Sequence, residues 1–405
     1  MNILLAWRNI WRNKKRTMIT ISSVALAVIL AVFVRSLQEG SYSKMIENAV
    51  GQFTGYVQVH NKNYWEDKSL DNGMVINDSL LQTIRSIPQV EGVNIRLESI
   101  VLASNKNNTK GAMVMGINPA DDDSMLHLSS KMVAGKYINA GDKSIVIGSR
   151  LASFLSISVG DTLVMLGQGH WGQSAIGAFP VKGIVKIPAA NIDRQIIFMP
   201  LALARDYFSF QQGVTSIVVK FKDARLTNKI TKALNKKFVG TDYTALPWQK
   251  MSPELVQEIR SDRTGGVLMI SVLYMIIAFG VFGTTLMMTE ERKKEFGVMV
   301  AIGMQKSKLM IITLYENLLM NGLAILIGIA VTVPLVLYYH VNPLRMTGEA
   351  AVSMENLGIE PVMPTILSFN IFMNQIIVIA VIVAFAIIYP IVSLSRLNVI
   401  KSLRR

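Results

Sequence analysis

The chain has 405 residues, of which 51% are hydrophobic, and it contains no cysteine. A mean hydropathy of +0.38 is too high for an ordinary soluble enzyme, and the missing cysteines exclude a disulfide framework and thiolate metal sites. The net charge of +14 could indicate nucleic-acid binding, but Lys and Arg cluster beside apolar runs, where membrane anchoring explains them. We therefore expect a membrane protein with one sizeable soluble part and no nucleic-acid partner.

In the N-terminal segment, residues 1–16, Trp7 and Trp11 lie on one helical side. The segment also contains several cations. This pattern predicts an amphipathic helix at the cytoplasmic membrane interface, with the tryptophans at headgroup depth. The uncharged run that follows predicts a first transmembrane helix at residues 17–37. A cleaved signal peptide is the alternative, but the run is longer than a usual signal-peptide core and no small-residue cleavage site follows it.

Residues 38–262 combine short β-rich runs, turn residues and mixed charge, and they contain no apolar run long enough to span a membrane. They predict one large soluble insertion with two subdomains. Strand and helix patterns at both ends predict a split α+β unit of about residues 50–118 and 214–250. Between these parts, strands separated by Gly and Asp turns predict a β-rich insert of about residues 119–213.

Three further apolar runs predict transmembrane helices two, three and four at residues 264–289, 309–339 and 369–395. A charged segment, residues 290–308, separates the first two of these runs. Within that segment apolar residues recur near helical spacing behind a cluster of cations, which predicts a short helix lying against the membrane. A helix in that position can press on a soluble partner.

The distribution of charge predicts the orientation. Basic residues flank the N-terminal segment, the 290–308 segment and the tail at residues 396–405, whereas the short loop at residues 340–368 is mainly acidic. By the positive-inside rule, both termini and the 290–308 segment face the cytoplasm. The large insertion then lies outside.

Motifs for nucleotide binding and catalysis give no site. Gly167 to Gly172 matches the spacing of a dinucleotide fingerprint, but the next segment reads as a strand, which favours a flexible hairpin tip with Trp171 as a partner-contact residue. The chain has no Gly-x-x-x-x-Gly-Lys-Ser/Thr loop, so another subunit must handle any ATP. The four histidines are far apart and no catalytic motif is present. We expect a chain that is not itself an enzyme and binds no metal or cofactor.

Glu316 lies within an otherwise apolar run, where a carboxylate is costly and is usually paired or functional. We interpret it as an interfacial carboxylate near Lys306 or Lys308, and a proton relay is the alternative. Small residues predict close helix packing, either within the chain or with a second copy, at Gly280, Gly283, Gly322, Ala324 and Gly328.

Several parts of the sequence form one recognisable pattern. They are the opening from Ala6 to Thr17, the charged segment from Glu291 to Met304, Glu316 with Gly322 and Gly328, the ending from Tyr389 to Arg404, and the insertion segments at Gly135, Ile145 to Gly148, Val159 to Asp161 and Val181 to Val185. With this pattern the chain resembles permeases of the FtsX-like, MacB and LolC/LolE type of ABC transporter, the mechanotransmission or type VII class.

The resemblance implies an α-helical membrane protein with four transmembrane helices and a large α+β extracytoplasmic domain, with porter-like and sabre-like subdomains, inserted between helices one and two. It implies a dimer of identical or paralogous permeases in the bacterial inner membrane, which binds two copies of a separate ATPase that holds ATP and Mg. The 290–308 segment is then the coupling helix. The resemblance assigns this role to Glu291, Arg292, Lys293, Glu295, Phe296, Gly297, Met299, Ala301, Gly303 and Met304.

Length and layout are most similar to the lipoprotein-releasing branch, in which lipoproteins are extracted from the membrane and pass to a periplasmic carrier. The resemblance then implies a laterally open apolar cavity, for which the candidate residues are Val28, Val32, Met269, Met275 and Phe279. The alternative is that Met269 and Met275 only face lipid and have no role in binding cargo. Two other functions stay open: a MacB-like efflux or peptide-export permease that works with an adaptor protein, and an FtsX-like regulator of a cell-wall hydrolase.

Overall fold

The computed structural model describes residues 2–12, 14–356 and 361–398. The chain forms two compact units, which we call the helical unit and the β-rich unit. The helical unit comprises Met1–Tyr42, Ile259–Arg345 and Val362–Arg405, and the β-rich unit comprises Ser43–Glu258 and Met346–Pro361.

The α-helices vary from single turns to rods of more than ten turns. In chain order they are α1 Asn2–Arg12, α2 Lys14–Ile46, α3 Asp78–Arg85, α4 Pro119–Leu126, α5 Ser149–Leu155, α6 Ala190–Asp193, α7 Leu201–Tyr207, α8 Thr227–Lys237, α9 Trp248–Met251, α10 Pro253–Glu291, α11 Lys293–Ala301, α12 Lys306–Val341, α13 Glu349–Asn356 and α14 Phe369–Ser395.

Among the described residues, four helices are long and apolar enough to cross a membrane: α2 with its continuation to Thr54, α10, α12 and α14. Each predicted apolar run lies within one of these helices, but α2 and α10 extend well beyond residues 17–37 and 264–289. A hydropathy pattern identifies only the part of a helix that is apolar enough for lipid. The helical backbone hydrogen bonds can continue beyond that part into polar residues, so the helix can be longer than the apolar run. Pro253 starts α10, which is a favoured position for proline because the first helical N–H has no partner within the helix.

A π-helix, Glu47–Thr54, continues α2. It ends at Gly55, whose φ of +80° suits glycine and whose N–H bonds Val50 O at 2.6 Å. The sequence pattern had placed these residues at the start of the soluble insertion, and it contained no signal for the irregular helix.

The core of the helical unit is made by the small and β-branched side of α2. Val24, Val28, Ala31 and Val32 are buried there together with apolar side chains of α10, α12 and α14. Helix α1 packs against α12. At the opposite end of α2, Ser36 donates a hydrogen bond to Ile366 O at 2.6 Å, which fixes the segment before α14.

Most β-strands belong to the β-rich unit, and only the last two lie in the helical unit. In chain order they are β1 Val57–Asn61, β2 Met74–Val75, β3 Gly92–Asn105, β4 Asn108–Ile117, β5 Met132–Gly135, β6 Ile145–Gly148, β7 Thr162–Gln168, β8 Ser174–Val185, β9 Ile196–Pro200, β10 Gly213–Val214, β11 Ser216–Lys220, β12 Tyr243–Pro247, β13 Leu344–Arg345 and β14 Val362–Met363.

Ten strands form one mixed sheet in the order β12-β1-β11-β3-β4-β9-β6-β8-β5, with β7 bridging β3 and β8. Helices α3 and α8 cover the end that contains β1, β11 and β12, and their buried residues Ile84, Ile230 and Leu234 share one core with Val59 and Ile217. The other end has separate cores beneath α5 and α7 and around Phe198.

The two ends of the sheet share the 14-residue strand β3. Its residues 92–96 pair with β11, whereas residues 97–105 pair with β4 and in part with β7. The predicted division near residue 118 therefore does not coincide with a break in the sheet, since β4 also pairs with β9 of the predicted insert. One long strand was read as part of a single subdomain because sequence alternation does not reveal a change of partner strand.

Candidate functional site

The charged segment between α10 and α12 forms the short helix α11, as the sequence pattern predicts. Helix α10 ends at Glu291, and Arg292 adopts φ −90° and ψ 0°, next to the start of α11. The N–H of Phe296 donates to Arg292 O at 2.9 Å and begins the helix. Arg292 is therefore the corner at which the chain turns from α10 into α11.

The C-terminus of α11 is closed by a Schellman motif. Gly303 has a φ of +104°, its N–H bonds Val300 O at 3.0 Å, and the N–H of Met304 bonds Met299 O at 3.0 Å. A residue with a side chain is strained at this φ, so the turn requires glycine. The structure thus gives Gly303, one of the residues assigned to coupling, a role in the backbone.

One side of α11 is packed into the helical unit. Phe296 is only 2% exposed and shares a core with Leu309 at the start of α12 and with Leu394 and Leu397 at the end of α14. Gly297 is buried as well, while Met299 and Met304 lie at the margin of this core. The aromatic ring and its glycine neighbour therefore anchor α11 and are not available to a partner.

The corner residue Arg292 is bound to Glu316 of α12. Two guanidinium nitrogens donate to the two carboxylate oxygens, one pair being Nη2 and Oε1 at 3.4 Å. Glu316 is 3% exposed, and the Arg292 guanidinium also lies 4.9 Å from the centre of the Phe296 ring. The sequence interpretation that Lys306 or Lys308 anchors Glu316 is wrong, because Arg292 reaches it across the corner and Lys306 donates to Leu397 O at 2.7 Å.

Further polar contacts tie the corner to neighbouring helices. Arg12 of α1 forms an ion pair with Glu295, and Tyr389 of α14 donates a hydrogen bond to Glu290 at 2.7 Å. A cavity of about 80 Å³ lies beside these contacts. Its lining includes Asn9, Arg12, Thr17, Glu291, Glu295 and Glu316.

The opposite side of α11 is open. Lys294, Val298 and Ala301 are exposed, and Ile302 is 82% exposed at the end of the helix. The open side of α11 therefore carries two exposed aliphatic side chains, Val298 and Ile302, beside the exposed Lys294. Val298 and Ile302 belong to the charged segment but are not among the ten residues named for coupling, and both lie on the helical side away from Phe296.

The five residues assigned to a substrate cavity do not come together. Val28 and Val32 are completely buried in the core of the helical unit. Met269, Met275 and Phe279 are exposed and project from the outer side of α10. Because both sides of this helix are apolar, the sequence did not reveal which side faces inward.

The predicted packing glycines also differ from one another. A Cβ on Gly328 would come within 2.7 Å of Val28 Cβ, so this glycine allows α12 to approach α2 closely. A Cβ on Gly280, Gly283 or Gly322 would meet no atom within 4 Å. These three positions are open on the surface of the single chain.

A polar cluster that the sequence did not indicate joins α2 and α10 near Gln38. Tyr42 donates a hydrogen bond to Asp262 at 2.6 Å, and Glu39 forms ion pairs with Arg263 at 2.9 Å and with Arg35 at 2.8 Å. The partners that join α2 to α10, Tyr42 with Asp262 and Glu39 with Arg263, are more than 200 residues apart in sequence, so no local spacing could reveal them.

The segment from Gly167 to Gly172 is a hairpin tip, as predicted, since Gln168 pairs with Ser174 across β7 and β8. The tip is fastened to the β-rich unit: the N–H of His170 bonds Phe208 O at 2.8 Å, and the ring of His170 stacks on Phe210 at 4.2 Å. Trp171 is 78% exposed. In the part of the chain that the structure describes, no His, Cys, Asp and Glu side chains group as metal ligands.

The interior of the β-rich unit contains a buried ion pair and a buried histidine. The side chains of Arg96 and Asp122 are fully buried and form an ion pair at 3.0 Å, and Arg96 also donates to Phe53 O in the π-helix. The Nδ1 of His60 bonds Thr215 O at 2.9 Å. Burial lowers the pKa of His60 to about 4, the opposing effect of the Thr215 bond being smaller. His60 is therefore a neutral core residue.

Two family models together match most of the chain. The model described as "MacB-like periplasmic core domain" matches residues 17–237, and the model described as "FtsX-like permease C-terminal" matches residues 267–399. The first alone covers more than half of the chain.

Curated relatives belong to two groups. A lipoprotein-releasing system transmembrane protein LolC from Xylella fastidiosa is 21% identical over 60% of this chain and 60% of its own length, and one from Neisseria meningitidis is 19% identical over 77% and 75%. A macrolide export ATP-binding/permease protein MacB from Pasteurella multocida is 22% identical over 80% of this chain but only 50% of its own length. The chain thus spans between half and three quarters of these relatives.

Among solved structures, the periplasmic region of MacB from Actinobacillus actinomycetemcomitans aligns with 53% of this chain and 98% of its own, at 17% identity and a TM-score of 0.35. The extracellular domain of the transporter YknZ from Gram-positive bacteria aligns with 47% and 98%, at 14% identity and a TM-score of 0.33.

Proposed function

Because the chain belongs to the FtsX-, MacB- and LolC-like family of permeases, we propose that it is the permease subunit of an ABC transporter that extracts lipoproteins from the inner membrane and passes them to a periplasmic carrier. In this proposal the chain is not an enzyme. A separate ATPase binds ATP and Mg, and two copies of it act on a pair of permeases.

The observation that carries the coupling role is the two-sided packing of α11. Its inner side is fixed by Phe296 and by the Arg292–Glu316 pair, and its outer side exposes Val298 and Ile302. A helix that is held on one side and exposed on the other can receive a push from a bound protein and pass it to the helices against which it packs. The ATPase is the proposed partner on this side.

We place α11 and both termini in the cytoplasm, with the β-rich unit in the periplasm. The support is the distribution of charge, since Lys and Arg are concentrated near α1 and α11, whereas the loop after α12 is mainly acidic. Lys401, Arg404 and Arg405 in the predicted tail lie outside the described residues.

The outer side of α10 is the proposed contact for cargo and for a second permease. Met269, Met275 and Phe279 are exposed there, and Gly280 and Gly283 leave space for close approach. Since Val28 and Val32 are already packed within the single chain, a cavity for acyl chains would form only where a second copy or a paralogue faces α10. Methionine side chains are flexible enough to adapt to varied acyl chains.

The test is the ATPase activity of the complex that co-purifies with the chain from its native membrane. Triacylated lipoprotein in nanodiscs should accelerate ATP hydrolysis, and a purified periplasmic carrier should then hold released lipoprotein. An Ile302→Asp variant should co-purify less ATPase while inserting normally. Hydrolysis that is unaffected by lipoprotein would contradict the lipoprotein function.

A MacB-like efflux or peptide-export permease is the second candidate. It is supported by the length of the match to the Pasteurella multocida MacB protein, which covers 80% of this chain. For this function an adaptor protein should co-purify with the β-rich unit, and hydrolysis should respond to a macrolide or peptide. Binding of a cell-wall hydrolase would instead support an FtsX-like regulator.

A further inference from the structure

We propose that Arg292 and Glu316 are positioning residues, which fix α11 to α12 so that a displacement of α11 moves α12 rather than turning α11 about its corner. This inference rests on the proposed function in one respect, namely that a partner displaces α11. The geometric part of it concerns the isolated chain alone.

Arg292 occupies the backbone corner between α10 and α11. It lies between two helices, where φ −90° and ψ 0° allow a change of direction, and its backbone oxygen accepts the first hydrogen bond of α11. A corner of this kind is a natural hinge, because a few residues at the ends of elements absorb most backbone rotation.

The side chain of Arg292 is itself held in place by two contacts. The Arg292 guanidinium uses two nitrogens on the Glu316 carboxylate and lies over the Phe296 ring. A two-point contact between planar groups fixes orientation as well as separation. The apolar core around Phe296 holds α11 in place, but apolar contacts are non-directional and permit sliding.

A charged pair such as Arg292 and Glu316 is not required for folding stability at a buried position. A carboxylate in an apolar helix is costly, and a buried ion pair can often be replaced by apolar residues of similar volume without loss of stability. Folding stability therefore does not explain Glu316. The nearby Arg12–Glu295 pair is exposed, so it is a weak restraint by comparison.

The experiment uses spin labels, because the chain has no native cysteine. Ile302→Cys and Leu326→Cys place labels on exposed positions of α11 and α12, which are 82% and 65% exposed. Double electron–electron resonance on the full chain in nanodiscs then measures the distribution of distances between the labels. We expect one narrow distribution in the unmodified background and broad ones for Arg292→Gln and for Glu316→Gln.

Two double variants separate positioning from folding. The exchange Arg292→Glu with Glu316→Arg should restore the narrow distribution. The apolar pair Arg292→Met with Glu316→Leu should melt at the temperature of the unmodified chain but keep the broad distribution. Glu39→Gln, which removes an ion pair between α2 and α10 and another within α2, is the matched control and should leave the distribution narrow. Narrow distributions in the single variants or in the apolar pair would overturn the inference.

A functional measurement follows on the complex with its co-purifying ATPase. Glu316→Gln should retain ATP hydrolysis but lose lipoprotein release, and the exchanged pair should regain it. Equal release by Glu316→Gln and the unmodified complex would also overturn the inference. If the unmodified complex itself releases no lipoprotein, the proposed function fails, and the spin-label distances still decide the role of Arg292 and Glu316.

Discussion

Gly328 of α12 lies so close to Val28 of α2 that a Cβ on the glycine would come within 2.7 Å of the valine Cβ and 3.1 Å of Ala25 O. Gly328→Ala should therefore push the two helices apart, at a cost of about 1–3 kcal/mol in stability. Thermal unfolding of the purified chain in detergent measures the effect. Gly322→Ala on the same helix is the control, since its Cβ would meet no atom within 4 Å. Equal melting temperatures for the two variants would contradict this packing.

Phe296 and Ile302 should have different roles although both belong to α11. Phe296→Ala removes a buried ring, so it should lower stability by about 3–5 kcal/mol and loosen α11. Ile302→Ala should leave unfolding unchanged but weaken binding of the ATPase, because the side chain is exposed. Unfolding curves and co-purification yields of both variants check the pair. Loss of ATPase binding in Phe296→Ala alone would show that the exposed side is not the contact.

Asp122 should be needed mainly because Arg96 is buried with it. Asp122→Asn removes the ion-pair partner of the buried guanidinium and should cost about 3–5 kcal/mol, whereas Arg96→Met with Asp122→Leu should recover most of that loss. Amide hydrogen exchange should rise in the π-helix at Glu47–Thr54, because Arg96 holds Phe53 O. Asp223→Asn, which removes an exposed pair with Arg225, should change neither measurement.

His60 should make the stability of the chain dependent on pH on the acidic side of neutrality. Its pKa is about 4 in the folded state and about 6.5 when unfolded, so between these values the unfolded chain binds more protons. The sign follows: stability should fall by about 3 kcal/mol as the pH falls from 6.5 to 4. Unfolding at several pH values should give a smaller slope for His60→Phe. The exposed His127→Asn is the control, and an unchanged slope in His60→Phe would contradict the assignment.

The sequence was sufficient to place four long apolar helices and the short helix α11, because long apolar runs and a charged amphipathic segment are local signals. It was insufficient for helix ends. Nothing in the composition of residues 38–54 distinguishes a continued helix from the start of a soluble domain, and the contacts of the π-helix, such as the bond from Arg96 to Phe53 O, are distant in sequence.

The sequence also did not predict which residues pair across the corner between α10 and α11. Glu316 was recognisable as an unusual carboxylate, but Lys306 and Lys308 are nearer in the chain than Arg292, which lies 24 residues away. Likewise Val28 and Met269 are both apolar residues of spanning helices, yet one is buried and the other is exposed. Hydrophobicity alone cannot rank the sides of a helix that is apolar all round.

Strand β3 has a mechanical consequence for the β-rich unit. Its backbone is hydrogen-bonded to β11 at one end and to β4 and β7 at the other, so bending one half against the other would break ladder bonds along a single strand. We therefore expect the unit to move as one rigid body, without a hinge between the two ends of the sheet. A protein bound to the β-rich unit would then be displaced together with it as a rigid body, and would not be clamped between two moving subdomains.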